Sequence, residues 1–209
     1  MYSAKRDVSL LALLFGNVLS AVMAVKYGWS LGEVMWIYWG QSVVIGVTNF
    51  IRMMSLREFS TEGLTSNGSP VPATEAGKRS TAIFFAIHYG MFHAGYAVFL
   101  WAEMPLAAIN DTTAALMIVC LSAFVLSHSF SLTHNMGRDF KQKKPNLGTL
   151  MFYPYMRIIP MHLTIIFGSL SGFGMLIFMV LKTFADLGMH MVEHHIFQKP
   201  DAGAARMQD

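Results

Sequence analysis

Cysteine is nearly missing from this chain: Cys120 stands alone. Without a second thiol there is no internal disulfide, and cysteine usage leaves the redox compartment open. Charge is scarce too. Asp, Glu, Lys and Arg make up 13% of the residues, about half the share of an ordinary soluble domain. Zinc-finger spacing, a P-loop and a dinucleotide glycine fingerprint are all absent, so none of those chemistries has a motif here. Period-2 alternation is absent as well, and the apolar runs are long and continuous, so helices are preferred over a transmembrane barrel.

What fills the chain is apolar. Hydrophobic residues account for 54% of the sequence, gathered into blocks long enough to cross a bilayer, which takes about 20 residues as helix. The pattern predicts an all-α, polytopic transmembrane bundle with no second domain. Six spans are expected, at about 8–26, 31–54, 81–102, 112–133, 150–171 and 174–196. Turn formers lie between them, in "KYGWS", "TEGLTSNGSPVPATEAGKRS", "EMPLAAIND", "RDFKQKKPNLG" and "SGFG". The second connection, 55–80, is the candidate flexible segment. No repeat of fixed period is visible.

Basic residues set an orientation. Lys5 and Arg6 precede the first span; Arg52, Arg57, Lys78 and Arg79 flank the second connection. Arg138, Lys141, Lys143 and Lys144 crowd the fourth connection, and Lys199 and Arg206 follow the last span. The other side receives only Lys26. Both termini are therefore expected in the cytoplasm, with the protein in the cell inner (plasma) membrane. The basic balance follows from topology, not from a nucleic-acid partner. A secretory signal at the N-terminus is the weaker reading, because the apolar run exceeds the roughly 7–15 residues such signals carry.

The sixth block ends in "LKTFADLGMHMVEHH", Leu181 to His195. On a helix, Lys182, Asp186, His190, Glu193 and His194 fall within an arc of roughly 120°. A charge near the bilayer centre costs about 3 kcal/mol or more, so such a stripe must face protein, water or an ion. Other spans supply partners: His88, Tyr89, His93 and Tyr96 in "HYGMFHAGY", Arg157 and His162 around Pro160, Gln41 in "WIYWGQS", and Asn17. Tyr89, His93 and Tyr96 share one side of their helix, with His88 about 140° from His93. Rise per residue puts His88, Arg157 and His190 about 10–12 Å from the cytoplasmic ends. His93, His162, Asp186 and Gln41 lie roughly 16–20 Å deep.

Such a set suits a divalent ion of the zinc, iron or copper kind. Asp186 and His190 are the first expected ligands, with His162 and with His88 or His93 completing the sphere. Glu193 would serve as base or orient a histidine. Lys182 and Arg157 would pair with Asp186 or hold an anionic group such as a lipid phosphate. An enzyme of this kind would hydrolyse a lipid or another membrane-soluble substrate. Against it stand two other readings. One is a proton relay or proton-coupled transporter, since histidine titrates near physiological pH. The other is an assembly protein whose polar groups only lock its helices.

Weaker signals take ordinary explanations. His128 and His134 are expected at the interface, the 17 methionines as flexible fillers, and "KQKKPN" as an orientation signal. "GSLSG" has the wrong spacing for a rhomboid-type serine site.

The runs "WIYWGQSVVIGVTNFIRM", "FSTEG", "HYGMFHAGY" and "KTFADLGMHMVEHH" resemble those of an uncharacterised family of small bacterial and archaeal membrane proteins, over nearly the whole chain. The resemblance implies a multi-span fold and brings no activity or site residue.

Overall fold

The computed structural model describes residues 18–105, 109–142, 144–159, 162–163, 180 and 183–184, with backbone alone at 130–131, 134–142 and 157. Within these the chain is mostly helical. A short apolar helix, α1, covers Val18–Tyr27. It turns at Gly28, whose φ of 63° suits a residue without Cβ. Helix α2 spans Leu31–Ser55, α3 Glu75–Glu103 and α4 Asp111–Gln142. Helix α5, Leu147–Phe152, leads into a 3-10 turn at Tyr153–Arg157.

The helices begin where side chains meet the orphan backbone N–H groups. Ser30 and Glu33 form a reciprocal capping box at the start of α2, the Ser30 N–H reaching Glu33 Oε2 at 2.6 Å. Thr74 Oγ1 accepts from the Gly77 N–H and starts α3. That places the start of α3 six residues before the expected 81 and shortens the connection from 55–80 to 56–74.

Helix α2 is the centre of the bundle and packs against both α3 and α4. It buries Val34, Met35, Ile37, Tyr38, Ile45 and Met53. Contacts along α2 and α3 run in opposite directions. The Trp36 indole N–H donates to the Met104 carbonyl, Trp39 to His93, and Ser42 meets Tyr89. The two helices are antiparallel. Gly46 lets the Tyr89 ring lie against α2, since a Cβ there would overlap the ring. Gly40 likewise receives Leu121 of α4.

The outer faces stay apolar. Ile87, Val98 and Trp101 on α3 are 68%, 71% and 69% exposed, and Leu126 on α4 is 71% exposed. A soluble protein rarely shows so continuous an apolar surface. Among the described residues, Leu31–Ser55, Glu75–Glu103 and Asp111–Ser129 are long and apolar enough to cross a membrane. These are the expected second, third and fourth spans.

The 56–74 connection, expected to be flexible, is built. Thr65–Ser66 pairs antiparallel with Ser69–Pro70. The turn is Asn67-Gly68, with φ of 50° and 78°, the positive values a tight hairpin needs. The same connection meets the chain that enters α5. The Ser60 N–H donates to the Pro145 carbonyl at 3.0 Å, and the Leu147 N–H to the Ser60 carbonyl at 2.8 Å. Asn146 Nδ2 donates to the Glu62 carbonyl, while Leu147 and Leu64 join one apolar cluster. The α2–α3 and α4–α5 connections therefore lie on one side of the bundle.

The fifth expected span, 150–171, departs from a plain helix at its start. Pro154, fully buried, offers no N–H to the helical ladder, and residues 153–157 tighten to the 3-10 turn. Pro160, expected to bend this span, lies outside the described residues, as does the sixth span apart from residues 180 and 183–184.

Candidate functional site

Polar side chains within the apolar bundle concentrate on one face of α3 and the segment opposite it. Tyr89, His93 and Tyr96 are buried together, as their spacing predicts. Tyr89 sits against α2, where its hydroxyl donates to the Ser42 carbonyl at 3.0 Å. The tyrosine has a single proton, so the 2.9 Å contact with Ser42 Oγ has the serine hydroxyl as donor.

His93 Nδ1 lies 2.9 Å from the Tyr89 carbonyl. A carbonyl only accepts, so Nδ1 carries the proton, and the neutral ring then presents a bare lone pair at Nε2. The ring stacks on Tyr89 with centroids 4.2 Å apart. Two further histidines pair with tyrosines across elements. His88 Nδ1 is 2.8 Å from the Tyr155 hydroxyl, and His162 Nδ1 is 2.8 Å from the Tyr96 hydroxyl. These hydrogen bonds join α3 to the chain that follows α5.

Ring contacts link the pairs into one seam. Tyr155 meets His88 at 5.6 Å and Tyr89 at 5.5 Å between centroids. His93 meets Tyr96 at 6.0 Å, and Tyr96 meets His162 at 6.1 Å. An apolar groove of about 240 Å³ runs beside the seam, between Phe92 and Tyr96 on α3 and Tyr155, Ile159 and His162 opposite.

Three of the four expected histidine ligands, His88, His93 and His162, are thus distributed along a seam. Each commits Nδ1 to a different partner, Tyr155, the Tyr89 carbonyl or Tyr96. Among the described residues no three His, Cys, Asp or Glu side chains gather as a metal-ligand set. Asp186, His190, Glu193 and Lys182 lie outside the described residues, and the Arg157 side chain does too. Gln41 is buried inside the bundle. Tyr155 was missed as a partner of His88, because 67 residues separate them and no local spacing signals the contact.

Helices with apolar outer faces, joined along a partly buried polar seam, define a helical protein of the membrane class. Within that class the chain belongs to a family of unknown function (DUF6498), whose profile matches residues 1–203. No curated protein matches the chain, and no solved structure does.

Proposed function

We propose that the chain is a six-span protein of the cell inner membrane, both termini cytoplasmic, whose histidine–tyrosine seam relays protons, alone or coupled to a solute. The observation that carries this reading is the pair of half-buried Tyr–His hydrogen bonds that join α3 to the chain after α5, His88 to Tyr155 and Tyr96 to His162. In each pair one proton lies between a phenol oxygen and an imidazole nitrogen, groups suited to pass it on. Ionisable groups at membrane depth mark relays and substrate paths far more often than surface residues do. The contact between the α2–α3 and α4–α5 connections supports the orientation, because Arg52, Arg57, Lys78 and Arg79 about the first and Lys144 in the second then meet the same compartment.

Purified protein in liposomes loaded with a pH-sensitive dye tests the relay. Proton flux above that of empty liposomes is expected, falling at least tenfold in a Tyr96→Phe, His162→Gln double variant. Flux equal to empty liposomes, or unchanged in the double variant, would defeat the relay. Orientation is tested separately in a Cys120→Ala background. A cysteine placed at Ser66, exposed at the hairpin, should react with an impermeant maleimide from the cytoplasmic side only.

A divalent-metal centre serving hydrolysis of a membrane-soluble substrate is the rival. It is favoured by one feature, the lone pair that His93 keeps at Nε2, the form in which imidazole binds metal. Asp186 and His190 would have to bring the remaining ligands, with His88 or His162. Elemental analysis of the purified protein distinguishes the two, since stoichiometric zinc, iron or copper is expected only for the metal centre.

A further inference from the structure

The groove beside the seam is apolar, yet one wall carries a donor that no described residue meets. Phe92 and Tyr96 of α3 face Tyr155, Ile159, His162 and Leu163 across about 240 Å³. Phe92, Ile159 and Leu163 are 37%, 45% and 36% exposed, so the groove opens on the apolar outer surface. His162 is exposed too, and its Nδ1 lies 2.8 Å from the Tyr96 hydroxyl. A phenol is a stronger acid than a neutral imidazole. Tyr96 therefore donates and Nδ1 accepts, which leaves the ring proton on Nε2. Among the described residues no acceptor meets that N–H. With Nδ1 turned to Tyr96, the opposite ring edge, which bears Nε2, borders the open side.

Depth decides what can meet it. Helix α3 has 29 residues and is about 43 Å long, the thickness of a bilayer with its headgroup layers. Tyr96 lies seven residues before Glu103, the last of α3, hence about 10 Å from that end. A headgroup layer takes about 5–7 Å, so the Tyr96–His162 pair lies in hydrocarbon, below water and lipid ester carbonyls. An N–H left unmet there costs about 1–3 kcal/mol, and an acyl chain in the groove would leave it unmet. Size narrows the choice further. A cavity of about 150 Å³ takes benzene, whereas drug-sized ligands fill about 300 Å³ or more. The groove suits one substituted ring, flat enough to lie among the Phe92, Tyr96 and Tyr155 rings, with any tail running out into lipid.

We propose that the groove binds a lipid-soluble ring carbonyl compound of the quinone type, one carbonyl oxygen accepting from the His162 Nε2–H. The site does not rest on the relay reading.

Full-length protein in lipid nanodiscs is titrated with tritiated decylbenzoquinone. A parallel titration uses tritiated decylbenzene, which has the ring and tail without the carbonyls. Saturable uptake of one decylbenzoquinone per chain, beyond that of empty nanodiscs, is expected, with decylbenzene at least tenfold weaker. His162→Leu, which keeps bulk and loses the N–H, should weaken decylbenzoquinone binding at least tenfold. Leu163→Trp, which fills the groove, should abolish it, and the melting temperature of each variant verifies folding. Absence of saturable uptake would overturn the proposal. So would equal affinity for decylbenzene, the mark of a groove that takes any hydrocarbon. Unchanged affinity in either folded variant would overturn it as well. Binding of the expected kind in a protein that conducts no protons upholds the site and sinks the relay alone.

Discussion

The two halves of α3 treat polar groups in opposite ways. At its N-terminal end, Lys78 is 4% exposed, yet its ammonium finds two acceptors close by. It donates to the Leu56 carbonyl at 2.6 Å and to Glu75 Oε1 at 2.9 Å. The first contact caps the C-terminus of α2, where a positive charge also complements the helix dipole. The second adds little, because Glu75 is largely exposed and such pairs are worth at most about 1 kcal/mol. Farther along, His88 and Tyr96 reach partners 67 and 66 residues away, and His93 keeps Nε2 uncommitted. Polar groups near the connections close the structure; those in mid-helix hold protons and lone pairs in reserve. The polar end is a fastener, and the seam is the candidate for chemistry.

Substitutions can break this contrast. Leu147→Ala should have the largest effect on stability, about 3 kcal/mol, because the side chain is completely buried at the junction of the two connections. The midpoint of denaturation in detergent checks it, with proton flux per folded molecule unchanged. Lys78→Met should follow at about 2 kcal/mol, the usual worth of hydrogen bonds from a charged donor. If it abolished flux while leaving stability intact, the fastener reading of this end would be wrong. Asn146→Ala removes the side chain that accepts from the Thr149 N–H at 2.9 Å and donates to Glu62, and should cost about 1 kcal/mol. Tyr96→Phe should cost least, about 0.6 kcal/mol, the mean for hydrogen bonds between membrane helices. Its effect should appear instead as reduced flux, the reverse of the pattern at the polar end.

Some of this was legible in local patterns. The second span was expected at 31–54 and is found at Leu31–Ser55. The shared face of Tyr89, His93 and Tyr96 follows from helical periodicity alone. The beginning of α3 was placed too late because Thr74 and the polar first turn read as loop. The two-residue strands were invisible for another reason: they are too short for periodicity, and only Asn67-Gly68 marks the turn. The 3-10 turn after α5 was read as continuous helix, although Pro154 carried the signal.

The candidate site was legible in its residue types and not in its arrangement. His88, His93 and His162 stood out as polar groups in apolar stretches of sequence. Their expected convergence on an ion assumed that equal depth means proximity. Depth fixes one coordinate only. The direction of each ring depends on its helix's rotation and on the neighbour it meets.

The sequence by itself determined that this is a helical protein with helices able to cross a bilayer, because length, hydropathy and capping are properties of neighbouring residues. Tertiary structure alone decided that the α2–α3 and α4–α5 connections pack together and that Tyr155 and Tyr96 are the partners of His88 and His162. Those outcomes depend on how helices far apart in the chain pack and face each other, and no short window of residues encodes that.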